Sequence, residues 1–178
     1  MDGTVRTFKE AAVLVPVFRN MDGDLILVVI RRSKGGVHGD QLGFPGGKSD
    51  RGDASKLETA LRECREEIGL PRENITILEE LPVLETRSTG FRVFPFLARI
   101  VVPKAWQPEE REIAEVLEVN LHDLAKPESY GEFMEQLPGW SKAEPAPYYR
   151  IGRYRLWGVS YRILKPILPP ILEGSWEI

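Results

Sequence analysis

Two apolar runs near the start of the chain predict paired strands. Residues 11–19 and 24–31 are rich in Val, Ile and Leu, and the Asn-Met-Asp-Gly segment between them has a turn composition with Asp-Gly at its centre. We therefore predict a β-hairpin. The following stretch, 33–43, carries glycine at four positions, which is too much for a regular element and indicates a loop.

A helical pattern begins after this loop. Asp53 can cap the first turn, and Gly69, with a proline two residues later, ends the helix. Apolar side chains recur between these ends at spacings of four, three and four residues, at Leu57, Leu61, Cys64 and Ile68. The spacing predicts an amphipathic helix whose apolar face packs on the core, with the thiol of Cys64 as a core group.

The second half of the chain predicts more strands than helices. The stretch 127–147 contains four prolines and two glycines and is interpreted as irregular. The other predicted elements are strands at 75–84, 91–102 and 116–119, short helices at 109–114 and 121–125, a hairpin of 148–151 with 154–156, and a helix at 160–168 that stops at two prolines. Hairpins require a mixed sheet, so we predict an α/β sandwich, not a doubly wound parallel sheet, in one domain over 1–178.

Composition and charge narrow the classes of partner. The chain has 178 residues, of which 42% are hydrophobic, so it can bury a core without disulfides or a structural metal. A net charge of −3 gives no general attraction for nucleic acid. No apolar run approaches the roughly 20 residues that span a bilayer. The single cysteine and the lack of a recognisable sorting signal predict a cytoplasmic location.

Three glutamates give the predicted helix a second, acidic face. At about 100° per residue, Glu63, Glu66 and Glu67 lie within roughly 100° of one another and outside the apolar stripe. Like charges at these spacings repel, and a hard divalent cation would offset the repulsion. Glycines at 46 and 47 would let the backbone approach the same ion. The alternative is a solvated acidic surface, which three glutamates alone favour.

The context of these glutamates is a family motif. Residues 62–70, Arg-Glu-Cys-Arg-Glu-Glu-Ile-Gly-Leu, resemble the second half of the Nudix box at every fixed position, and the whole box spans about 46–70. The first half is one residue longer than usual, and Asp53 stands near the place of the usual glutamate. This longer spacing, with Phe-Pro-Gly-Gly at 44–47, is similar to the coenzyme A pyrophosphatase branch. The upstream glycine-rich loop is about one residue shorter than in that branch and lacks its basic residue, while the resemblance covers about 11–168.

The resemblance implies a Nudix-type α/β/α sandwich with a mixed central sheet and a hydrolase that uses Mg²⁺ or Mn²⁺. Glu63 and Glu67 are then expected as the principal metal ligands, and the Gly46 carbonyl as a backbone ligand. Glu66 is expected as a further ligand or as the residue that orients the attacking water. Arg62 is expected to hold a glutamate in place through a charge-assisted hydrogen bond.

The substrate implied by the resemblance is coenzyme A or a derivative, cleaved to 3′,5′-ADP and 4′-phosphopantetheine. Arg31, Arg32, His38 and Gln41 are candidates to contact its phosphates, the alternative being a solvated strand end and loop. Two other functions stay open: hydrolysis of other nucleoside diphosphate derivatives, such as ADP-ribose, NADH or nucleotide sugars, and a non-catalytic nucleotide-binding module. The expected partner is thus a small molecule, and a homodimer is among the oligomeric states left open.

Overall fold

The computed structural model describes residues 8–34, 39–86, 89–136 and 141–178, so His38 lies outside the described residues. The strands are β1 (Lys9–Arg19), β2 (Leu25–Arg32), β3 (Leu42–Gly43), β4 (Gly46–Lys48), β5 (Ile75–Glu80), β6 (Leu84–Glu85), β7 (Phe91–Ile100), β8 (Ile113–Asn120), β9 (Tyr130–Glu135), β10 (Glu144–Ile151) and β11 (Tyr154–Trp157). The helices are α1 (Lys56–Ile68), α2 (Leu121–Leu124) and α3 (Gly158–Leu172), with 3₁₀ turns at Arg72–Asn74 and Pro127–Ser129.

Strand β1 lies at the centre of a mixed sheet. One edge pairs in parallel with β7, while the other pairs antiparallel with β4 near its start and with β2 near its end. The pairing of β1 with β2 confirms the predicted hairpin. Because β4 and β2 pair with different stretches of the same edge of β1, β1 and β2 are not paired along the stretch that binds β4. The segment that links β3 to β4 enters the sheet at this opening.

Helices cover both faces of this sheet, which confirms the α/β/α sandwich. On one face, Ala60 and Cys64 of α1 pack in a core with Leu14 and Val28. On the other face, α3 and the hairpin of β10 with β11 pack against alternate residues of the same strands. That second core includes Val15, Leu27, Leu156, Leu164 and Ile167. Alternate side chains of β1 therefore serve opposite cores, as the two-residue period of a strand requires.

Two stretches in the second half of the chain have a different secondary structure from the one predicted. Residues 109–114 form a turn that runs into β8 at Ile113, not a helix. The stretch 127–147 is also more regular than its prolines suggest, because β9 and the start of β10 pair within it. Pro145 and Pro147 are tolerated because β11 pairs with β10 only from Tyr148 onward, so their missing N–H groups can face an open edge.

The closing helix also continues past its predicted end. It does not stop at the proline pair but includes Pro166, Pro169 and Pro170 and runs to Leu172. Pro166 and Pro169 are exposed, while the opposite side of α3 is buried in the core. Burial of that side outweighs the lost backbone hydrogen bonds. Among the residues described, this and the other helices are too short or too polar to cross a bilayer.

Candidate active site

Helix α1 is fixed at both ends by local hydrogen bonds. Ser55, not Asp53, is the N-cap, and its side chain accepts a hydrogen bond from the Glu58 N–H at 3.1 Å. The prediction of Asp53 as the cap is therefore wrong. Gly69 ends the helix as predicted: it has a left-handed conformation (φ 70°), and its N–H donates to the Arg65 carbonyl.

Three of the four glutamates of α1, Glu63, Glu66 and Glu67, share a side of the helix but lie in different surroundings. The Glu67 side chain is 2% exposed, Glu63 is 16% exposed and Glu66 is 58% exposed. Glu67 Oε2 accepts a hydrogen bond of 2.7 Å from the Gly46 N–H. The fold thus brings Glu67 and Glu63 against β4, while Glu66 faces solvent.

Close approach of α1 to β4 requires glycine at two successive positions. A Cβ atom on Gly47 would lie 2.4 Å from the Glu63 carboxyl carbon, and one on Gly46 would lie 2.2 Å from the Ala12 carbonyl oxygen. Gly46 also has a φ of 149°, a conformation that other residues rarely adopt. The Gly-Gly pair therefore sets how closely the carboxylates approach the backbone.

Arg62 joins the helix to the loop before it. Its Nη1 donates to Glu63 Oε1 at 2.9 Å and to Glu66 Oε2 at 3.0 Å, and its Nη2 donates to the Lys48 carbonyl at 3.1 Å. Its Nε and Nη2 also bind both carboxylate oxygens of Asp53. The Arg62 guanidinium holds the pKa of Asp53 well below its ordinary value. Asp53 therefore positions Arg62, a role that the helix pattern alone does not indicate.

Arg32 makes the corresponding link on the other side of the site. Its Nη2 donates to the Gly46 carbonyl at 3.0 Å, and its Nη1 lies 3.2 Å from Glu67 Oε1. Arg31, the preceding residue, points away, because successive residues of a strand face opposite sides. It is held by Asp40 at 2.6 Å and Glu115 at 3.1 Å, so the two arginines do not converge. The Gln41 carbonyl accepts from the Arg32 N–H at 3.0 Å.

Burial raises the pKa of Glu67 to about 7, against the opposing effects of Arg32 and the Gly46 N–H. Burial also raises the pKa of Glu63. The negative charge of Glu112 adds to both shifts. Glu112 lies in the turn before β8, where its carbonyl accepts from the Ser33 N–H at 2.8 Å. No motif marks Glu112, and the β2–β8 pairing that brings it here would have been needed to find it.

The donor set fits a hard divalent cation in chemistry. Mg²⁺ accepts carboxylate and backbone carbonyl oxygens as ligands. The site offers a backbone carbonyl and two carboxylates that have little exposure to solvent and raised pKa values. Within the described ranges, no three Asp, Glu, His or Cys side chains already converge to hold a metal ion. Instead, arginine side chains share these oxygens: Arg32 binds Glu67 and the Gly46 carbonyl, and Arg62 binds Glu63.

A family model for the NUDIX domain matches residues 8–137, well over half of the chain. The chain belongs to the Nudix family. The matched range contains α1, β4 and Arg32, so it includes the carboxylates and glycines described above. Nudix hydrolases generally act on nucleoside diphosphate derivatives with the help of divalent metal ions.

Curated relatives agree with this assignment. The chain is 41% identical over 116 residues to a Pectobacterium atrosepticum protein named uncharacterized Nudix hydrolase NudL, covering 65% of this chain and 59% of that protein. It is 32% identical over 167 residues to the NudL protein of an Enterobacter species, covering 94% of this chain and 85% of that one. The chain is a Nudix hydrolase.

The fold agrees with a solved Nudix structure as well. A C. elegans Ap4A hydrolase, crystallised as a binary complex, is similar with a TM-score of 0.53 and 25% sequence identity. The likeness covers 65% of this chain and 82% of that one. The fold of this Nudix hydrolase is thus similar to that of the C. elegans enzyme over the covered part.

Proposed function

We propose that this Nudix hydrolase cleaves the pyrophosphate bond of coenzyme A or its derivatives in the presence of Mg²⁺ or Mn²⁺. Water adds across the P–O–P linkage, giving 3′,5′-ADP and 4′-phosphopantetheine. The observation that carries the proposal is the burial of Glu67 against the Gly46 N–H, with Glu63 packed on Gly47. The longer box and the Phe-Pro-Gly-Gly segment support coenzyme A as the substrate.

Each residue of the box has a role in this proposal. Glu63, Glu67 and the Gly46 carbonyl would hold the metal, and the exposed Glu66 would bind a further ion or orient the water. A bound divalent ion neutralises the pyrophosphate and lowers the pKa of the attacking water. Arg62 positions Glu63 and Glu66 through its hydrogen bonds to both carboxylates.

Arg32 holds the loop and the helix in register. It binds the Gly46 carbonyl and Glu67 at once, so it fixes two of the proposed ligands relative to each other. A metal ion would compete with Arg32 for these oxygens. With a metal ion bound there, the Arg32 guanidinium would be free to turn toward a substrate phosphate, a group that it binds well.

We also infer that residues 1–178 form one domain. The NUDIX match ends at residue 137, yet α3 and β11 bury Leu156 and Leu164 in the same core as Val15 of β1. Removing the last 41 residues would expose this core. Cytoplasmic location and a homodimer stay predictions, and size-exclusion chromatography with light scattering would test the second.

Product analysis tests the proposed reaction. The purified protein is incubated with equal concentrations of coenzyme A, NADH, ADP-ribose and a dinucleoside polyphosphate, with Mg²⁺, with Mn²⁺ and with chelator. We expect 3′,5′-ADP to appear first and only with metal. Cleavage of another substrate with coenzyme A untouched would replace the substrate but keep the reaction. No cleavage, with intact nucleotide binding, would favour the non-catalytic module.

A further inference from the structure

A cleft of about 640 Å³ opens beside β7. It lies where β5 has ended and β6 begins: the Leu81 N–H still bonds the Pro95 carbonyl, and β6 then pairs with the first residues of β7. The residues that line it are Val83, Leu84, Glu85, Arg92, Phe94 and Arg162. The cleft therefore joins β6 and β7 to the outer side of α3.

The polar groups of this cleft favour an anionic ligand. Arg92 Nη2 donates to Glu85 Oε1 at 3.0 Å, and Arg162 Nη1 donates to the Glu85 backbone carbonyl at 2.9 Å. The lining thus holds two guanidinium groups and one carboxylate, of which only Arg92 is paired with the carboxylate, so its net charge is positive. Each guanidinium has five N–H donors in a planar fork, so both retain donors for a phosphate.

The cleft also contains an aromatic ring within reach of the proposed reaction site. Phe94 of β7 pairs with Ala12 of β1, and Ala12 pairs on its other side with Gly47 of β4. Directly paired residues share a face of the sheet, so Phe94 faces the same side as Gly47. Two strand spacings separate them, or about 10 Å. Lys56 Nζ of α1 lies 5.7 Å from the centroid of the Phe94 ring and is also ion-paired with Glu10.

We propose that this cleft binds the nucleotide part of the substrate, with the base against Phe94 and a phosphate held by Arg92 and Arg162. The ligand class is a nucleoside phosphate with an anionic group outside the pyrophosphate. The orientation of the bound substrate rests on the proposed function, because hydrolysis at Glu63 and Glu67 sets where the pyrophosphate lies. Binding in the cleft does not depend on turnover.

This assignment differs from the substrate contacts expected from sequence. Arg31 is already paired with both Asp40 and Glu115 and packs on a tyrosine ring. In the described part of the chain, Arg162 has a hydrogen bond to a carbonyl but no ion pair. A phosphate that binds Arg162 would therefore break fewer existing contacts than one that binds Arg31.

Calorimetric titration of the full chain with adenosine 3′,5′-bisphosphate tests the cleft. Chelator in the buffer removes divalent metal, so binding is measured without hydrolysis. We expect Arg92→Gln and Arg162→Gln each to weaken binding by about tenfold, since each removes a charge-assisted contact. The matched control is Arg99→Gln, which lies in the same strand outside the cleft and should bind like the unaltered chain.

A second titration identifies the group that the arginines bind. Adenosine 5′-monophosphate, which lacks the 3′-phosphate, should bind the unaltered chain more weakly than the bisphosphate does, and Arg92→Gln and Arg162→Gln should each reduce that difference. Bisphosphate binding that is unchanged by both cleft substitutions, or equally weakened by Arg99→Gln, would overturn the proposal. If these titrations give the expected result but the product analysis shows no cleavage of coenzyme A, the cleft is supported as a binding site and the proposed reaction is refuted.

Discussion

The two faces of α1 show opposite relations between burial and stability. Ala60, Cys64 and Ile68 on one face are fully inaccessible and pack on the sheet, so their burial stabilises the fold. Glu67 on the other face is almost as inaccessible, yet burial of a carboxylate is unfavourable unless partners compensate. The apolar face therefore holds the helix in a position that the acidic face would not reach on its own.

The unfavourable burial of the Glu67 carboxylate on the acidic face is only partly offset by its partners. Arg32 and the Gly46 N–H both favour the charged form of Glu67, yet its pKa still rises to about 7. A cation at this site would complete the compensation. The comparison teaches that stability and chemistry are separable by face, so substitutions on one face should spare the property of the other.

The largest expected effect is on the reaction rate. Glu63→Gln and Glu67→Gln keep the shape of the side chain but remove a proposed metal-binding charge, so kcat should fall on the order of a thousandfold. Thermal unfolding followed by circular dichroism should show little loss of stability, because both residues lie off the apolar face. Glu58→Gln, in the first turn of the same helix, is the matched control. Turnover preserved at saturating Mg²⁺ would refute the assignment of the site.

A substitution on the apolar face should have the opposite effect, lowering stability while leaving catalysis unchanged. Leu61 is 6% exposed, so Leu61→Ala should lower the free energy of unfolding by roughly 2–5 kcal/mol through lost burial and a cavity. Urea denaturation measures this loss, and kcat per folded molecule should stay close to that of the unaltered protein. A negligible change in the urea midpoint would mean that the helix faces are assigned wrongly.

The pH dependence of stability gives a smaller test of the acidic face. The pKa of Glu67 rises from an ordinary 4.5 to about 7 on folding, so the folded state binds more protons between these values. The free energy of unfolding of the metal-free protein should therefore fall as pH rises through this window, by at most about 3 kcal/mol. The contribution is fully present below pH 4.5 and lost above pH 7.

Glu67→Gln isolates this contribution, because glutamine does not titrate. The difference in unfolding free energy between the unaltered protein and Glu67→Gln is measured in chelator at several pH values. As pH rises, the unaltered protein should lose stability relative to Glu67→Gln. Two curves that stay parallel from pH 4.5 to pH 7 would show that Glu67 is not buried as a carboxylate.

Local pattern and tertiary pairing explain what the sequence could predict. The apolar spacing of α1, the end at Gly69 and the hairpin of β1 with β2 depend on neighbours in sequence, and each is confirmed. The environment of Glu112 depends on the β2–β8 pairing, which no local pattern specifies. The two parts of 127–147 that form strands likewise gain regular structure from pairing with each other.

The candidate site divides in the same way. The sequence predicts which carboxylates share a side of α1, but burial separates Glu67 from the exposed Glu66. Consecutive arginines also differ, because strand alternation sends Arg32 into the site and Arg31 away from it. Their partners come from β4 and β8, so side-chain roles required the sheet topology.

The smallest expected effect concerns the start of α1, which serves both faces equally. Ser55→Ala removes the capping acceptor for the Glu58 N–H and should lower the free energy of unfolding by about 1 kcal/mol. Ser55→Asn restores an acceptor and should recover most of the loss. Because the apolar face still anchors the helix, kcat should be unchanged in both variants. A large fall in kcat after Ser55→Ala would mean that the cap, rather than core packing, fixes the carboxylates.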